Sequence, residues 1–346
     1  MQWMIYGANG YTGRLIAAEA ARRGLQPVLA GRSEAAVRAL AEELGLKWRA
    51  FTLDLTGAVT EGLRGIDLVL HCAGPFSATS APMLEGCLAT RTHYLDITGE
   101  IDVFAHCHAQ HARAQEANVV VAPGVGFDVV PSDCLAAQLH RECPWATSLV
   151  LGFDAGGGFS PGTAKTSVEG LGHGGRVREG GVLKRVPLAW KTRTFTRDGV
   201  DRTAMTIPWG DVYTAHVSTG IPDIEVYTAA PPKTIARLRR LRLLGPLLRL
   251  GAVQSWLKTR VERSVKGPSD SRRAGSESIV WGEARDAEGR EHKLRLRVPN
   301  GYDLTVTAAL GIVDRLLRER PAGGYYTPSQ LMGADYVLTL PGVEQV

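Results

Sequence analysis

Residues 6–17 read YGANGYTGRLIA, with glycines at positions 7, 10 and 13 between a short apolar run and a helical pattern. Glycines at this spacing let the backbone approach a pyrophosphate, which then lies at the positive N-terminus of the following helix. Asn9 and Thr12 add side-chain hydrogen-bond donors. The alternative is a tight strand-to-helix turn without a ligand. The turn predicts a dinucleotide site formed by Gly7, Asn9, Gly10, Tyr11, Thr12 and Gly13.

Strands alternate with helices on both sides of this turn, up to about residue 122. The predicted strands are 3–6, 27–30, 48–53, 66–72, 93–97 and 119–122, and the predicted helices are 14–23, 33–44, 80–90 and 101–117. Near-continuous apolar strands that alternate with helices are typical of a doubly wound parallel sheet. We therefore predict an α/β fold in which residues 1–125 form a Rossmann domain.

The end of the second predicted strand reads Ala30-Gly31-Arg32-Ser33, without an acidic residue before Glu34. NAD enzymes usually carry Asp or Glu here to bind the ribose 2′-hydroxyl. Arg32 can instead form a bidentate contact with a 2′-phosphate, and Ser33 can donate a further hydrogen bond. This pattern favours NADP(H) over NAD(H); the alternative is that Arg32 is a solvated surface residue.

Three further loops follow strands at the same predicted sheet edge, where ligands bind in this fold. Asp54 follows the third strand and can accept a hydrogen bond from the adenine amino group, or cap the next segment. Ala73, Gly74, Pro75 and Phe76 end the fourth strand, on the predicted nicotinamide side. Thr98 and Gly99 end the fifth strand. We include all of these residues in the predicted cofactor site.

The sequence changes character after residue 125, which predicts a second domain over 126–300 with an α+β fold and a largely antiparallel sheet. The predicted elements are strands at 147–155, 279–283 and 292–298, a strand-rich region at 186–230 with a turn at 208–211, a helix at 164–172, and a helix capped by Ser132. Asp286-Ala287-Glu288-Gly289 indicates a hairpin. The helix at 304–318 predicts that residues 301–346 pack back on the first domain.

Hydride transfer often needs a proton donor beside the reacting carbon. The predicted catalytic residues are Asp96, Asp128 and Lys165, with Lys165 placed to bind an anionic substrate group. The alternative for the two carboxylates is that they orient loops and satisfy backbone groups. Glu100 and Tyr302 are further polar candidates on loops.

The formal net charge of +5 is unevenly distributed, because residues 233–273 hold twelve Lys or Arg and two acidic residues. Leucines are interleaved with these cations over 233–263. One interpretation is an amphipathic surface that contacts lipid or an acyl carrier; the other is a helical pair that covers the core or forms a dimer contact. Without an aromatic platform between the charges, nucleic acid is not predicted as a partner.

The cysteines number five and contain no CxxC pair, which favours reduced thiols and a cytoplasmic location over a disulfide framework. His106, Cys107, His108 and His111 lie close together on a predicted helix, but without a second cluster we predict no metal site. The sequence shows neither a targeting segment nor an apolar run long enough to span a bilayer.

The chain resembles the saccharopine dehydrogenase-like oxidoreductases over almost its whole length. The resemblance rests on YGANGYTGRLIA at 6–17, AGR at 30–32, CAGPF at 72–76, YLDITGE at 94–100, PGVGFDVVPSDCLA at 123–136, PGTAKTS at 161–167, PWGDVYTAHVSTGIPDIEVY at 208–227, GPSDSRRAGSESIVWGEARDAEG at 267–289 and YYTPSQLMGADYVLTLPG at 325–342. It implies a Rossmann domain, an α/β second domain and NAD(P) use. It does not imply saccharopine as the substrate, because the family includes trans-acting enoyl reductases of lipid pathways.

These observations together predict an NADP(H)-dependent oxidoreductase that reduces a C=N, C=O or C=C bond of a small molecule and acts as a homodimer. The substrate is not identified, and a lipid-linked molecule is one candidate. The alternative is a non-catalytic protein that binds NADP as a sensor or scaffold.

Overall fold

The computed structural model describes residues 1–54, 56–156, 158, 160–248, 250–265 and 267–346. Gly157 and Phe159 of the glycine-rich loop, and Arg249 of the basic region, lie outside the described residues. The chain divides into two compact units. Unit 1 comprises Met1–Val130 and Tyr302–Met332, and unit 2 comprises Pro131–Gly301 and Gly333–Val346.

The helices and strands follow one another along the chain in three stretches. Those of residues 1–122 are β1 (Trp3–Tyr6), α1 (Tyr11–Arg22), β2 (Val28–Gly31), α2 (Glu34–Leu44), β3 (Lys47–Ala50), α3 (Thr56–Gly62), β4 (Leu68–His71), α4 (Phe76–Thr90), β5 (His93–Asp96), α5 (Ile101–Ala109), α6 (His111–Ala117) and β6 (Val120–Ala122). Those between residues 130 and 299 are α7 (Val130–Glu142), β7 (Ser148–Asp154), α8 (Pro161–His173), β8 (Gly175–Glu179), β9 (Val182–Val186), β10 (Thr192–Arg197), β11 (Val200–Thr206), α9 (Asp211–Thr219), β12 (Asp223–Ala229), α10 (Pro232–Leu241), α11 (Gly245–Leu248), α12 (Gly251–Ser264), α13 (Asp270–Ala274), β13 (Glu277–Arg285) and β14 (Glu291–Pro299). The last stretch contains α14 (Gly301–Arg318), β15 (Gly324–Tyr325), α15 (Pro328–Met332) and β16 (Glu344–Gln345).

Unit 1 is built on a parallel sheet of seven strands in the order β15-β6-β5-β4-β1-β2-β3. Every residue of β1, β2 and β4 is buried, as expected for strands covered on both faces. The chain reverses its direction of progression at β1, which pairs with β2 on one side and β4 on the other. Ligands bind in this fold at such a switch point, at the carboxyl ends of the strands.

Unit 2 contains a mixed sheet of nine strands, in which β7 and β12 are the one parallel pair among the recorded pairings of the described residues. The other pairings are antiparallel. The predicted hairpin is confirmed, because β13 pairs with β14 from Glu277↔Pro299 to Arg285↔Glu291. Gly152 of β7 leaves room for the ring of Trp281 on β13, since a Cβ there would lie 2.2 Å from the Trp281 ring. The predicted fold class, a parallel Rossmann sheet plus a largely antiparallel second sheet, is confirmed.

Three local expectations of the sequence were wrong. The strand-rich region at 186–230 contains a helix, α9, which follows Gly210 and ends at a left-handed Gly220. Burial of Val212 and Ala215 on one side of α9 outweighs the strand preference of its β-branched residues. Ser132 is not an N-cap, because α7 already begins at Val130. The single helix predicted at 101–117 is two helices, α5 and α6, which meet at Gln110.

The division between the units lies five residues beyond position 125, between Val130 and Pro131. The C-terminal region is shared between the units. Residues 302–332 belong to unit 1 and supply its edge strand β15, which pairs with β6. Residues 333–346 belong to unit 2, where β16 pairs with β14 and Asp335 forms a bidentate ion pair with Arg141.

Among the helices that the structure describes, none combines the length and the apolar character that a membrane span requires. The described His, Cys, Asp and Glu side chains include no group of three arranged to bind a metal ion. In the histidine run, the ring of His108 stacks on Tyr325 at 4.6 Å between centroids, and His111 Nδ1 accepts a hydrogen bond from the Tyr325 amide at 3.1 Å. These histidines therefore contact the edge strand β15.

Candidate active site

The glycine turn between β1 and α1 is closely packed against the loop that follows β4. Gly7 has a φ of +83°, and a Cβ at this position would lie 2.7 Å from the Ala73 amide nitrogen. A Cβ on Gly13 would lie 2.3 Å from the Gly7 carbonyl oxygen. The first turn of α1 contains no acidic residue, and its N-cap, Gly10, has no side chain to bond the helix amides. The turn therefore places the N-terminus of a helix without a side-chain cap at the switch point of the sheet, an arrangement that suits a phosphate group.

The end of β2 lies next to this turn. A Cβ on Gly31 would lie 2.9 Å from Asn9 Oδ1, so the glycine lets the Asn9 side chain reach the end of β2. Arg32 is exposed and forms no hydrogen bond or ion pair with any residue that the structure describes. Ser33 is the N-cap of α2, yet its hydroxyl forms no capping hydrogen bond with the described backbone of that helix. Both side chains are thus available to an anion.

Tyr6 connects the ends of β1, β2 and β3. Its hydroxyl donates to the Phe51 carbonyl at 2.9 Å. Burial raises the pKa of Tyr6 to about 12, while the Arg32 guanidinium lowers it and the Asp54 carboxylate raises it. The charges of Arg32 and of the exposed Asp54 therefore act with opposite sign on the same hydroxyl, so both residues lie near Tyr6.

The loop after β4 is held by a carboxylate from another strand. Glu100, which follows β5, accepts hydrogen bonds from the Phe76 amide at 3.0 Å and the Ser77 amide at 2.7 Å. The Gly74–Pro75 peptide bond is cis. The hydroxyl of Thr79 donates to the Ala73 carbonyl at 2.6 Å. Glu100 thus caps α4, whose N-terminus follows the loop.

Asp96, at the end of β5, is fully buried and surrounded by donors. Its Oδ2 accepts from the Tyr94 hydroxyl at 2.6 Å, and its Oδ1 accepts from the amides of Thr98 and Gly124, each at 2.9 Å. Burial raises the pKa of Asp96 to about 6, against the lowering effect of these hydrogen bonds. The contacts join the end of β5 to the loop after β6, so Asp96 braces two loops of the sheet edge.

Asp128 lies in the loop between β6 and α7, beside the end of β5. A Cβ on Gly99 would lie 3.0 Å from Asp128 Oδ2, so the carboxyl group packs closely against Gly99. Burial, and to a smaller extent the negative charge of Glu100, raises the pKa of Asp128 to about 7. A carboxyl group that titrates near neutral pH at the ligand-binding edge can give up or take a proton during a reaction.

Two other sequence candidates have different surroundings. Tyr302, at the start of α14, packs edge-to-face on Tyr11 at 4.9 Å between ring centroids, beside the glycine turn of unit 1. Lys165 lies half-buried in α8 of unit 2, in the first turns after the N-cap Ser160. The structure therefore brings together the residues predicted around the glycine turn, while Lys165 belongs to the other unit.

The sequence analysis missed His71, the last residue of β4. It is fully buried among the rings of Tyr6, Phe76 and Tyr94, and its Nε2 lies 3.0 Å from the Thr79 hydroxyl oxygen. Because Thr79 donates its proton to Ala73, His71 Nε2 is the donor to Thr79. Burial lowers the pKa of His71 to about 3, so the ring is neutral and supports the loop after β4. The signal in the sequence is that His71 is a polar residue at the end of the otherwise apolar strand β4.

The N-terminal part of the chain matches a known family. Residues 3–122 match the family model described as the saccharopine dehydrogenase NADP binding domain, which confirms the resemblance seen in the motifs. A trans-acting enoyl reductase of Mycobacterium leprae is 33% identical over 149 residues, which cover 40% of this chain and 35% of the relative. A saccharopine dehydrogenase-like oxidoreductase of Rattus norvegicus is 26% identical over 216 residues, covering 54% and 50%. The chain thus spans half or less of the length of these relatives.

Solved structures with the same fold extend over the whole chain. The apo saccharopine dehydrogenase (L-Glu forming) of Saccharomyces cerevisiae has a TM-score of 0.65 at 12% identity, covering 100% of this chain and 99% of that chain. The homospermidine synthase of Legionella pneumophila, solved with NAD, has a TM-score of 0.67 at 9% identity, covering 100% and 91%. At such identities the similarity shows the fold.

Proposed function

From the match of residues 3–122 to the saccharopine dehydrogenase NADP binding domain, we propose that the protein is an NADP(H)-dependent oxidoreductase. It reduces a C=N, C=O or C=C bond of a small molecule. The observation that carries the proposal is the glycine turn at the switch point, with an uncapped helix N-terminus and the free side chains of Arg32 and Ser33 beside it. Relatives named as oxidoreductases support the same class of activity.

The residues fit the cofactor in two respects. The crowding at Gly7 and Gly13 supports the proposal, because side chains there would push apart the backbone segments that form the turn. Arg32 and Ser33 bind the 2′-phosphate, and Asp54 accepts from the adenine at the same edge. Ala73, Gly74, Pro75 and Phe76, together with Thr98 and Gly99, line the nicotinamide side. When bound, the cofactor supplies the hydride.

Asp128 is the proton donor in this proposal. It is protonated in about half of the molecules near pH 7, whereas an ordinary aspartate would be fully ionised. Asp96 is a positioning residue, because its Oδ1 holds the loop amides of Thr98 and Gly124 while its Oδ2 accepts from the Tyr94 hydroxyl. Lys165 is the residue proposed to bind an anionic group of the substrate.

The proposal is tested by calorimetric titration with NADPH and, separately, NADH. Arg32→Ala is expected to weaken NADPH binding by about 30-fold, since a charge-assisted contact with a phosphate contributes about 2 kcal/mol. NADH binding should change by less than about twofold, because NADH lacks the 2′-phosphate. The matched control is Arg38→Ala, which removes an exposed arginine of α2 that forms one ion pair with the described residues, to Glu42 at 3.9 Å.

Equal losses for the two nucleotides would exclude the 2′-phosphate contact, and failure of the wild type to bind either would exclude the whole proposal. The second candidate function, a non-catalytic NADP-binding sensor or scaffold, is favoured if bound NADPH is stable towards a panel of carbonyl, imine and enoyl compounds.

The raised pKa of Asp128 also predicts a pH-dependent stability. Its pKa of about 7 in the folded protein exceeds the ordinary aspartate value of 3.8, so the fold favours the protonated form. The stabilisation is complete below about pH 4 and is lost progressively as the pH rises through 7. Asp128→Asn should therefore be more stable than the wild type by about 4 kcal/mol at pH 8 and by about 1 kcal/mol at pH 4.5, in denaturant titrations. A gain that is the same at both pH values would show that Asp128 ionises normally.

A further inference from the structure

One region of unit 2 has several large apolar side chains exposed close together in the sequence. We call residues 232–264 the Leu/Arg segment; it comprises α10, α11 and α12 with their connections. Leu243 is 86% exposed, and Leu244, Leu247 and Leu250 are 47%, 51% and 53% exposed. Trp256 on α12 is 59% exposed. Apolar side chains exposed singly are ordinary, but five within fourteen residues form a patch that marks an interaction site.

Contacts on α10 and on α12 attach the segment to the rest of unit 2. The exposed leucines between these two helices are therefore held at a fixed place on its surface. Ile235 of α10 is buried in a cluster with Ala189 and Met205. Arg242 donates to the carbonyls of Leu188 and Ala189 at 2.6 and 2.7 Å. On the other side, Gln254 of α12 donates to the Val168 carbonyl of α8 at 3.2 Å.

Unpaired cations flank the exposed leucines. Lys233, Arg237 and Arg240 of α10 are exposed, lie at helical spacings of four and three, and form no ion pair with the described residues. On α12, Arg260 lies over the Trp256 ring at 5.6 Å, and Arg263 is exposed one turn further on. The sequence of the segment contains nine Lys or Arg and a single acid, Glu262.

We propose that the Leu/Arg segment docks unit 2 on the surface of an anionic lipid bilayer. Leu243, Leu244, Leu247 and Leu250 enter the boundary between headgroups and acyl chains. Trp256 lies at the interface, and the cations on either side contact lipid phosphates. Leucines and tryptophan beside an arginine-rich polar face are the pattern of interfacial helices, which lie on a membrane without crossing it.

The charge distribution favours this occupant over a second copy of the chain. Two copies meeting through the segment would bring two sets of nine cations together with one acid each, and like charges destabilise such an interface. The alternative of a helical pair that covers the core does not account for Leu243, which is largely exposed in the folded chain. An anionic bilayer offers an apolar layer for the leucines and phosphate groups for the arginines.

The test is co-sedimentation of the full chain with vesicles of phosphatidylcholine alone, and of phosphatidylcholine mixed with an equal amount of phosphatidylglycerol. We expect at least about tenfold stronger partition onto the anionic vesicles, reduced by high salt. Leu243→Ser with Leu247→Ser should weaken that partition about 30-fold. Arg237→Gln with Arg240→Gln should weaken it about tenfold and leave partition onto the neutral vesicles unchanged.

The matched control is Val182→Ser with Val200→Ser, which removes two residues of unit 2 that are 60% and 57% exposed on β9 and β11. This variant should partition as the wild type does. Circular dichroism and NADPH binding verify that each variant is folded. Equal partition onto neutral and anionic vesicles would overturn the proposal. So would a leucine variant that retains its vesicle partition but changes from dimer to monomer in light scattering, because the segment would then be an interface between copies.

Discussion

Gly13→Ala is expected to weaken NADPH binding by about 100-fold or more, the largest effect on binding of any substitution in the glycine turn. The added Cβ would lie 2.3 Å from the Gly7 carbonyl oxygen and 3.0 Å from Ala8 Cα, and both are backbone atoms that cannot rotate away. α1 must therefore move from the end of β1, which displaces the N–H groups proposed to bind the pyrophosphate. Calorimetric titration with NADPH measures the loss.

Gly57→Ala is the matched control for that substitution. Gly57 lies in α3, and a Cβ there would meet nothing within 4 Å. The same chemical change should leave NADPH binding unchanged and raise helix stability by up to about 1 kcal/mol. If Gly13→Ala binds NADPH like the wild type while its circular dichroism is unchanged, the glycine turn does not hold the pyrophosphate.

Asp96→Ala is expected to lower the free energy of unfolding by about 4 kcal/mol. The substitution leaves the Tyr94 hydroxyl and the amides of Thr98 and Gly124 without their acceptor in a fully buried site, and each such donor costs about 1–3 kcal/mol. Urea unfolding at pH 7, with the midpoint and slope compared between variants, measures this loss.

Asp96→Asn tests whether the hydrogen bonds or the negative charge of Asp96 hold the loops, because asparagine keeps the size of the side chain and removes its charge. Its amide oxygen can accept from both backbone amides, and its nitrogen can donate to the Tyr94 oxygen, so the loss should stay below about 1.5 kcal/mol. Equal losses for Ala and Asn would show that the carboxylate charge, and not the hydrogen-bond geometry, holds the loops together.

The elements of unit 1 were predictable from the sequence because their signals are local. The glycine spacing, the apolar strands and the helical periodicities each occupy fewer than twenty neighbouring residues. The edge strand β15 was not predicted, because two residues carry no periodicity and Gly324–Tyr325 becomes a strand only by pairing with β6. Similarly, α9 has a strand-like sequence, and its helical state depends on what its buried face packs against.

Candidate residues were predictable as a set, but their separate roles were not. From the sequence alone, Asp96 and Asp128 are both carboxylates in or next to a loop that follows a strand. The structure distinguishes them through partners that are distant in sequence, since the Asp96 acceptor joins Thr98 to Gly124, and Asp128 lies beside Gly99. The role of Glu100 as a cap of α4 was likewise not predictable, because the amides that it binds, those of Phe76 and Ser77, are more than twenty residues away in the sequence.

The sequence by itself determined the Rossmann turn, the absence of an acid before Arg32 and the concentration of cations between residues 233 and 263. Backbone conformation and residue identity suffice for these features, because they depend on neighbours along the chain. Only the tertiary structure decided that Asp96 is buried among three donors, that Asp128 has a raised pKa and that Leu243 is exposed. Burial is set by contacts between residues far apart in the chain, and burial controls both the ionisation of a carboxyl group and the free energy of an apolar side chain.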